Sequence, residues 1–125
     1  MAKIARLSVE ESVNIDMHRL EEIVKELGET TASHVIGAAL EQLALALTRT
    51  VTATEKGELA QVATHADRLS RLAWQVGLVT LAGVAVDVGS CAERRDMGAL
   101  AATAARLRRI GNQSLTQIWD KPEQG

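Results

Sequence analysis

Few residues of this 125-residue chain could do chemistry. The richest stretch is Ala66-Asp67-Arg68-Leu69-Ser70-Arg71-Leu72-Ala73-Trp74-Gln75-Val76-Gly77. Read as a helix, it places Asp67, Arg71 and Trp74 at i, i+4 and i+7, on one face, with Arg68 and Ser70 beside them. A guanidinium and an indole exposed together are the usual anchors of protein–protein contacts. Trp74 has a second reading of equal weight, in which the indole folds over a neighbouring helix and caps the core.

The three histidines are scattered. His65 lies two residues before Asp67, about 200° around a helix from it, so the two project on different sides. It reads either as a nucleophilic imidazole or as a flank histidine bonded to a neighbouring helix or to water. His34 falls opposite the apolar stripe of its helix, and His18 sits beside Arg19 and Glu22; both read as surface groups. Their spacing forms no metal-ligand pattern, and Cys91 stands alone, which leaves no disulfide or cysteine-based zinc site within one chain. Gly-rich phosphate loops, paired catalytic carboxylates and nucleophile motifs are missing, so no enzyme activity and no cofactor are expected.

The elements that must position these groups are helical. Apolar residues make up 46% of the chain, with no Phe, no Tyr and one Pro, a composition that favours helices over sheets. A first helix is expected at about 15–27, with Leu20, Ile23, Val24 and Leu27 on its stripe and Gly28 as its stop. Gly28-Glu29-Thr30-Thr31 offers capping hydroxyls to a second helix reaching about Thr54, whose inner face carries Ile36, Leu40, Leu43 and Leu47. Glu55-Lys56-Gly57 breaks it. The third helix carries Leu59, Val62, Ala66, Leu69, Ala73 and Val76 inward. Gly77 marks a kink or junction before a fourth helix to about Glu93, with Leu81, Ala85, Val88 and Ala92 inside. Asp96 caps a fifth, patterned by Leu100, Ala104, Leu107, Ile110 or Gly111, and Ile118, with Trp119 sealing the bundle end. Short connections between long amphipathic helices predict an all-α, up-down four-helix bundle with a short leading helix. A chain of this size forms one domain, 1–125, whose ends at 1–14 and 120–125 are expected to be loosely ordered.

The net charge of −2 gives no global drive toward nucleic acid. Arg94, Arg95, Arg106, Arg108 and Arg109 make the fourth-to-fifth helix region basic, which without aromatic interleaving reads as a solvated face. The N-terminus has no apolar segment of the secretory kind, and the run from Leu72 to Val86 is shorter than a bilayer span. A cytoplasmic protein with no membrane partner is expected. Ala38 and Leu45, joined by Gly37, Thr48 and Thr52, form a low-charge outer face on the second helix suited to a partner helix or a homodimer.

The stretch from Ala66 to Gly77 resembles the central helix of the histidine-containing phosphotransfer domain family. That family reads Ala-His-x-Leu-Lys-Gly-x-Ala-x-x-Leu-Gly and continues into a second Leu/Ala-rich helix. Leu69, Ala73, Val76 and Gly77 match the pattern, and the order and lengths of the other helices extend the resemblance over most of the chain. The resemblance puts Asp67 at the position of the phosphate-accepting histidine, and Ser70 and Arg71 at those of the lysine and glycine. A carboxylate has no nucleophilic nitrogen and repels a phosphoryl group, so transfer should fail in this register. What the resemblance implies is a degenerate two-component signalling module: an adaptor that binds a receiver domain or a sensor kinase through Asp67, Arg68, Ser70, Arg71 and Trp74 without relaying phosphate. Two alternatives stand beside it: an active phosphotransfer protein using His65 or His34 in an atypical register, and a structural bundle that oligomerises.

Overall fold

A computed structural model describes residues 11–119 of the chain, the side chain of Trp119 excepted. Among the described residues the fold is all-α, with helices α1 (Met17–Leu27), α2 (Glu29–Lys56), α3 (Leu59–Gln75), α4 (Val79–Glu93) and α5 (Met97–Trp119). Consecutive helices α2 to α5 pack side by side, α5 closes the ring against α2, and α1 lies on α2. Because each connection within the ring is only two or three residues long, neighbours must run antiparallel.

The inward stripes meet along the axis of that ring. Leu43, Val62, Leu69, Leu81, Val88, Leu107 and Ile110 are fully buried, and Leu47 and Val76 nearly so. Ile36, expected among them, is only half-buried at the edge of the core. No helix of the described residues is long and apolar enough to cross a membrane.

Punctuation follows local chemistry in some places and departs from expectation in others. α1 begins at Met17 and not at Ile15, because the Asp16 carboxylate accepts from the amides of His18 and Arg19 at 3.1 and 3.3 Å. Ile15 instead forms an isolated antiparallel bridge with Leu78. Leu27, expected on the inward stripe of α1, is exposed, and Ile23 alone of that helix is buried. α2 starts at Glu29 directly after Gly28, with no side-chain cap, so the hydroxyls of Thr30 and Thr31 do not serve that role. It ends at Gly57 in the left-handed conformation, whose amide donates to the Thr54 carbonyl. Asp96 caps α5 as expected, accepting from the Ala99 amide at 3.1 Å.

The segment before α1 is tied to the bundle at several points. The expectation of loose ends lies outside the described residues for 1–10 and 120–125, and so does that of Trp119 as a seal; of residues 11–14, Glu11, Val13 and Asn14 contact the bundle. Val13 is buried, and the Asn14 amide donates to Thr80 Oγ1 at 2.8 Å. Glu11 faces α5, where Arg106 Nε donates to both of its carboxylate oxygens at 3.1 Å. The same segment then crosses the α3–α4 turn: the Asp16 amide donates to the Gly77 carbonyl at 2.7 Å, and Arg19 Nε donates to the Gln75 carbonyl at 3.0 Å. Gly77 has φ +79°, and a Cβ placed on it would stand 2.6 Å from the Asp16 carbonyl oxygen. A glycine is therefore required on both counts. This clamp fixes the end of α3, one turn beyond Trp74.

Candidate functional site

The residues expected from the sequence to touch a partner all lie on α3. Burial of Leu69, Ala66 and Ala73 in the core turns the opposite side of the helix outward. Asp67, Arg68, Arg71 and Trp74 all lie on that exposed side. Trp74 is 56% exposed, the most exposed of the large apolar residues described. Arg71 Nη2 stands 2.6 Å from Asp67 Oδ2, an i,i+4 ion pair open to water on both sides. Such a pair contributes about 0.2–1 kcal/mol to the helix, so it is available to exchange partners at little cost. Arg68 leans the other way, its Nη2 donating to Gln42 Oε1 on α2 at 3.2 Å.

Ser70 does not belong to this strip. It is buried, and its hydroxyl donates to the Asp67 carbonyl at 2.8 Å, so the residue expected to touch a partner is turned toward α4 and satisfied within its own helix. Its position about 300° around from Asp67 leads it to the α3–α4 seam, where Gly89 leaves room.

That seam adds a residue missed in the sequence. A shallow cleft of about 190 Å³ runs between α3 and α4, bordered by Asp67 and Ser70 on one side and Val86, Gly89 and Glu93 on the other. Val86 is 55% exposed. In the sequence it merges with the apolar run from Leu72 onward, yet it stands one residue off the inward stripe of Leu81, Ala85 and Val88, and that offset is the available signal.

The histidines offer no concerted arrangement. His65 is half-buried, and His34 is exposed. The side chain of His18 is almost wholly exposed, 3.7 Å from Glu21. Among the described residues, no group of three or more His, Cys, Asp or Glu could hold a metal ion.

In the basic region of α4 and α5, Arg94, Arg95, Arg108 and Arg109 are exposed, in keeping with a solvated face, and several of the arginines are paired. Arg106 and Arg109 both pair with Glu11, Arg108 pairs with Glu55 at 2.8 Å, and Arg94 Nη1 donates to Ser90 Oγ at 2.5 Å. The hydrogen bond from Arg106 is the largest influence on Glu11 and holds its carboxyl below the usual range; partial burial opposes this, and the charges of Arg106 and Arg109 add to it. A cleft of about 330 Å³ between α4 and α5 contains Arg94 and Arg106, but Asp87 shares it and Glu11 neutralises Arg106 from outside. On α2, Ala38, Leu45, Thr48 and Thr52 are exposed as expected, with Val35 beside them, but Glu41 and Arg49 are exposed on the same side.

The chain matches no family model, no curated protein and no solved structure.

Proposed function

We propose that this bundle is a degenerate phosphotransfer-like adaptor of two-component signalling, which docks a receiver domain or a sensor kinase through the outer face of α3 and passes on no phosphate. The observation that carries this reading is the exposure of Trp74 in line with the Asp67–Arg71 ion pair, on the helix whose pattern resembles the family's phosphoacceptor helix. A four-helix ring with a leading helix accords with that family's architecture. The exposed α3 face supports this reading because it leaves Arg71 and Trp74 open to a partner.

The chemistry assigns each group a part. A receiver domain carries an acidic phosphoacceptor pocket, which Arg71 can approach by exchanging its bond to Asp67 for a carboxylate of the partner. Arg68 can do the same by leaving Gln42. Trp74 supplies the apolar area that holds the contact, while Asp67 in place of an imidazole removes the nucleophile and adds a charge that turns a phosphoryl group away. The protein thus acts in the cytoplasm as a competitor or scaffold for receiver binding.

Binding and transfer assays against the receiver domains and histidine kinases of the source genome test this. Wild type should bind at least one of them and take up no phosphate from its phosphorylated form. Trp74→Ala should weaken that binding by about 2 kcal/mol or more, roughly thirtyfold, with an unchanged circular dichroism spectrum. Acid-labile phosphate on the chain, lost in His65→Gln or His34→Gln, would establish the active phosphotransfer reading instead.

A further inference from the structure

The α3 strip has a symmetry of its own. Ala60, Thr64, Asp67, Arg71 and Trp74 are all exposed, and at about 100° per residue they fall within about 40° of one line along the helix. Read from either end, the line has the same logic. Over the stretch from Thr64 to Trp74, Asp67 and Arg71 are equidistant from the centre at position 69, and the bulky Trp74 at one end is matched by Thr64, with half-buried Ala63 nearby, at the other.

From this pattern we infer that the outer face of α3 is a self-complementary docking surface, whose occupant is a second copy of this chain lying antiparallel across a two-fold axis between positions 67 and 71. An isologous contact requires that residue i meet j while j meets i. Here Asp67 of each copy meets Arg71 of the other, so the charges complement each other twice. Each Trp74 indole lies over Ala63 and Thr64 of the opposite copy, both of them small side chains. The parallel arrangement would instead place Trp74 against Trp74 and Asp67 against Asp67, with like charges opposed. The exposed ion pair within each helix costs little to rearrange, because both ions keep an opposite partner throughout.

This inference goes beyond the adaptor reading and has a consequence for it. Self-association covers Arg71 and Trp74, so a copy engaged with its twin has no free strip for a receiver or kinase. Dilution or a tighter-binding partner would release it.

A contact along one helix lies at the small end of specific interfaces, so it is read at high protein concentration. Sedimentation velocity of the full chain at about 0.2 mM should give twice the 13.4 kDa chain mass, falling toward one chain mass on roughly hundredfold dilution. Asp67→Arg and Arg71→Asp, each alone, oppose like charges across the axis and should be monomeric, and Trp74→Ala should be monomeric too. The decisive arm mixes the first two variants in equal amounts. One chain then carries arginine at both positions of the pair and the other carries aspartate at both. The mixture should sediment as a dimer although neither component does. Circular dichroism verifies that each variant is folded. A monomeric wild type at the high concentration overturns the inference, as does a mixture that stays monomeric. A dimer insensitive to all three substitutions overturns it in favour of the α2 face of Val35, Ala38 and Leu45. Receiver binding is scored separately: dimerisation without any receiver or kinase bound would leave this inference standing and remove the adaptor reading.

Discussion

Gly77→Ala should be among the most damaging methyl additions in the chain, and its cost can be worked from two observations. The φ of +79° places position 77 in the left-handed region, which costs a non-glycine residue about 1–2 kcal/mol. The added Cβ would stand 2.6 Å from the Asp16 carbonyl oxygen, which cannot rotate away as a side chain would. The leading segment must therefore withdraw, straining or breaking the 2.7 Å bond from the Asp16 amide to the Gly77 carbonyl, a further cost of about 1 kcal/mol. A total of about 2–3 kcal/mol follows. Gly57→Ala is the control: its φ is +70°, but a Cβ there meets nothing within 4 Å, so only the backbone cost of about 1–2 kcal/mol applies. Urea unfolding of both variants measures the difference. Equal destabilisation by the two would refute the clamp between the leading segment and the α3–α4 turn, and a loss below about 0.5 kcal/mol at Gly77 would refute the turn geometry itself.

Two other outcomes follow from the same packing and charges. Leu69→Ala empties a fully buried position at the centre of α3 and should cost about 2–5 kcal/mol in urea unfolding, whereas a neutral result would mean that α3 faces elsewhere. Glu11, held below its usual range by Arg106, contributes stability that is fully present above the ordinary carboxylate pKa of 4.5 and is lost as pH falls through its depressed folded value. Wild type should therefore exceed Glu11→Gln in stability at neutral pH, with the gap closing in the acid range; a pH-independent gap would show that the ion pair is not its source.

The bundle is legible because long helices write their burial into a 3.6-residue rhythm. Leu43, Val62, Leu69, Val88 and Leu107 can each be assigned to the core from spacing alone, and Gly57 and Asp96 from their capping chemistry. The leading segment is not legible, since nothing periodic links Glu11 to Arg106 across 95 residues, and the bonds at Asp16 and Gly77 run through backbone atoms that every residue type shares. Gly77 itself is visible as a junction but not as a clamp. At the site, the line of Asp67, Arg71 and Trp74 follows from helical geometry. The exposure of Trp74 does not, because an indole can turn inward or outward from the same backbone position. Ser70 misleads for the opposite reason: its polarity suggests the surface, while its angle on α3 carries it into the α4 seam, where its own helix satisfies the hydroxyl. The basic region of α4 and α5 shows the limit of counting charges, since the partner of Arg106 and Arg109 lies near the other end of the chain.

Amide chemical-shift mapping is the most direct test of the claim that the α3 face is a docking surface. Labelled chain at low micromolar concentration, titrated with each receiver domain and kinase of the source genome, should show shifts concentrated on α3 from Thr64 to Gln75, with the indole N–H of Trp74 among the largest. Apart from Gln42, whose bond to Arg68 is exchanged, the α2 face and the Glu11–Arg106 junction should stay still. Binding that instead shifts the α2 face, or titrations that leave the Trp74 indole unmoved with every receiver and kinase, would contradict the assignment of this surface.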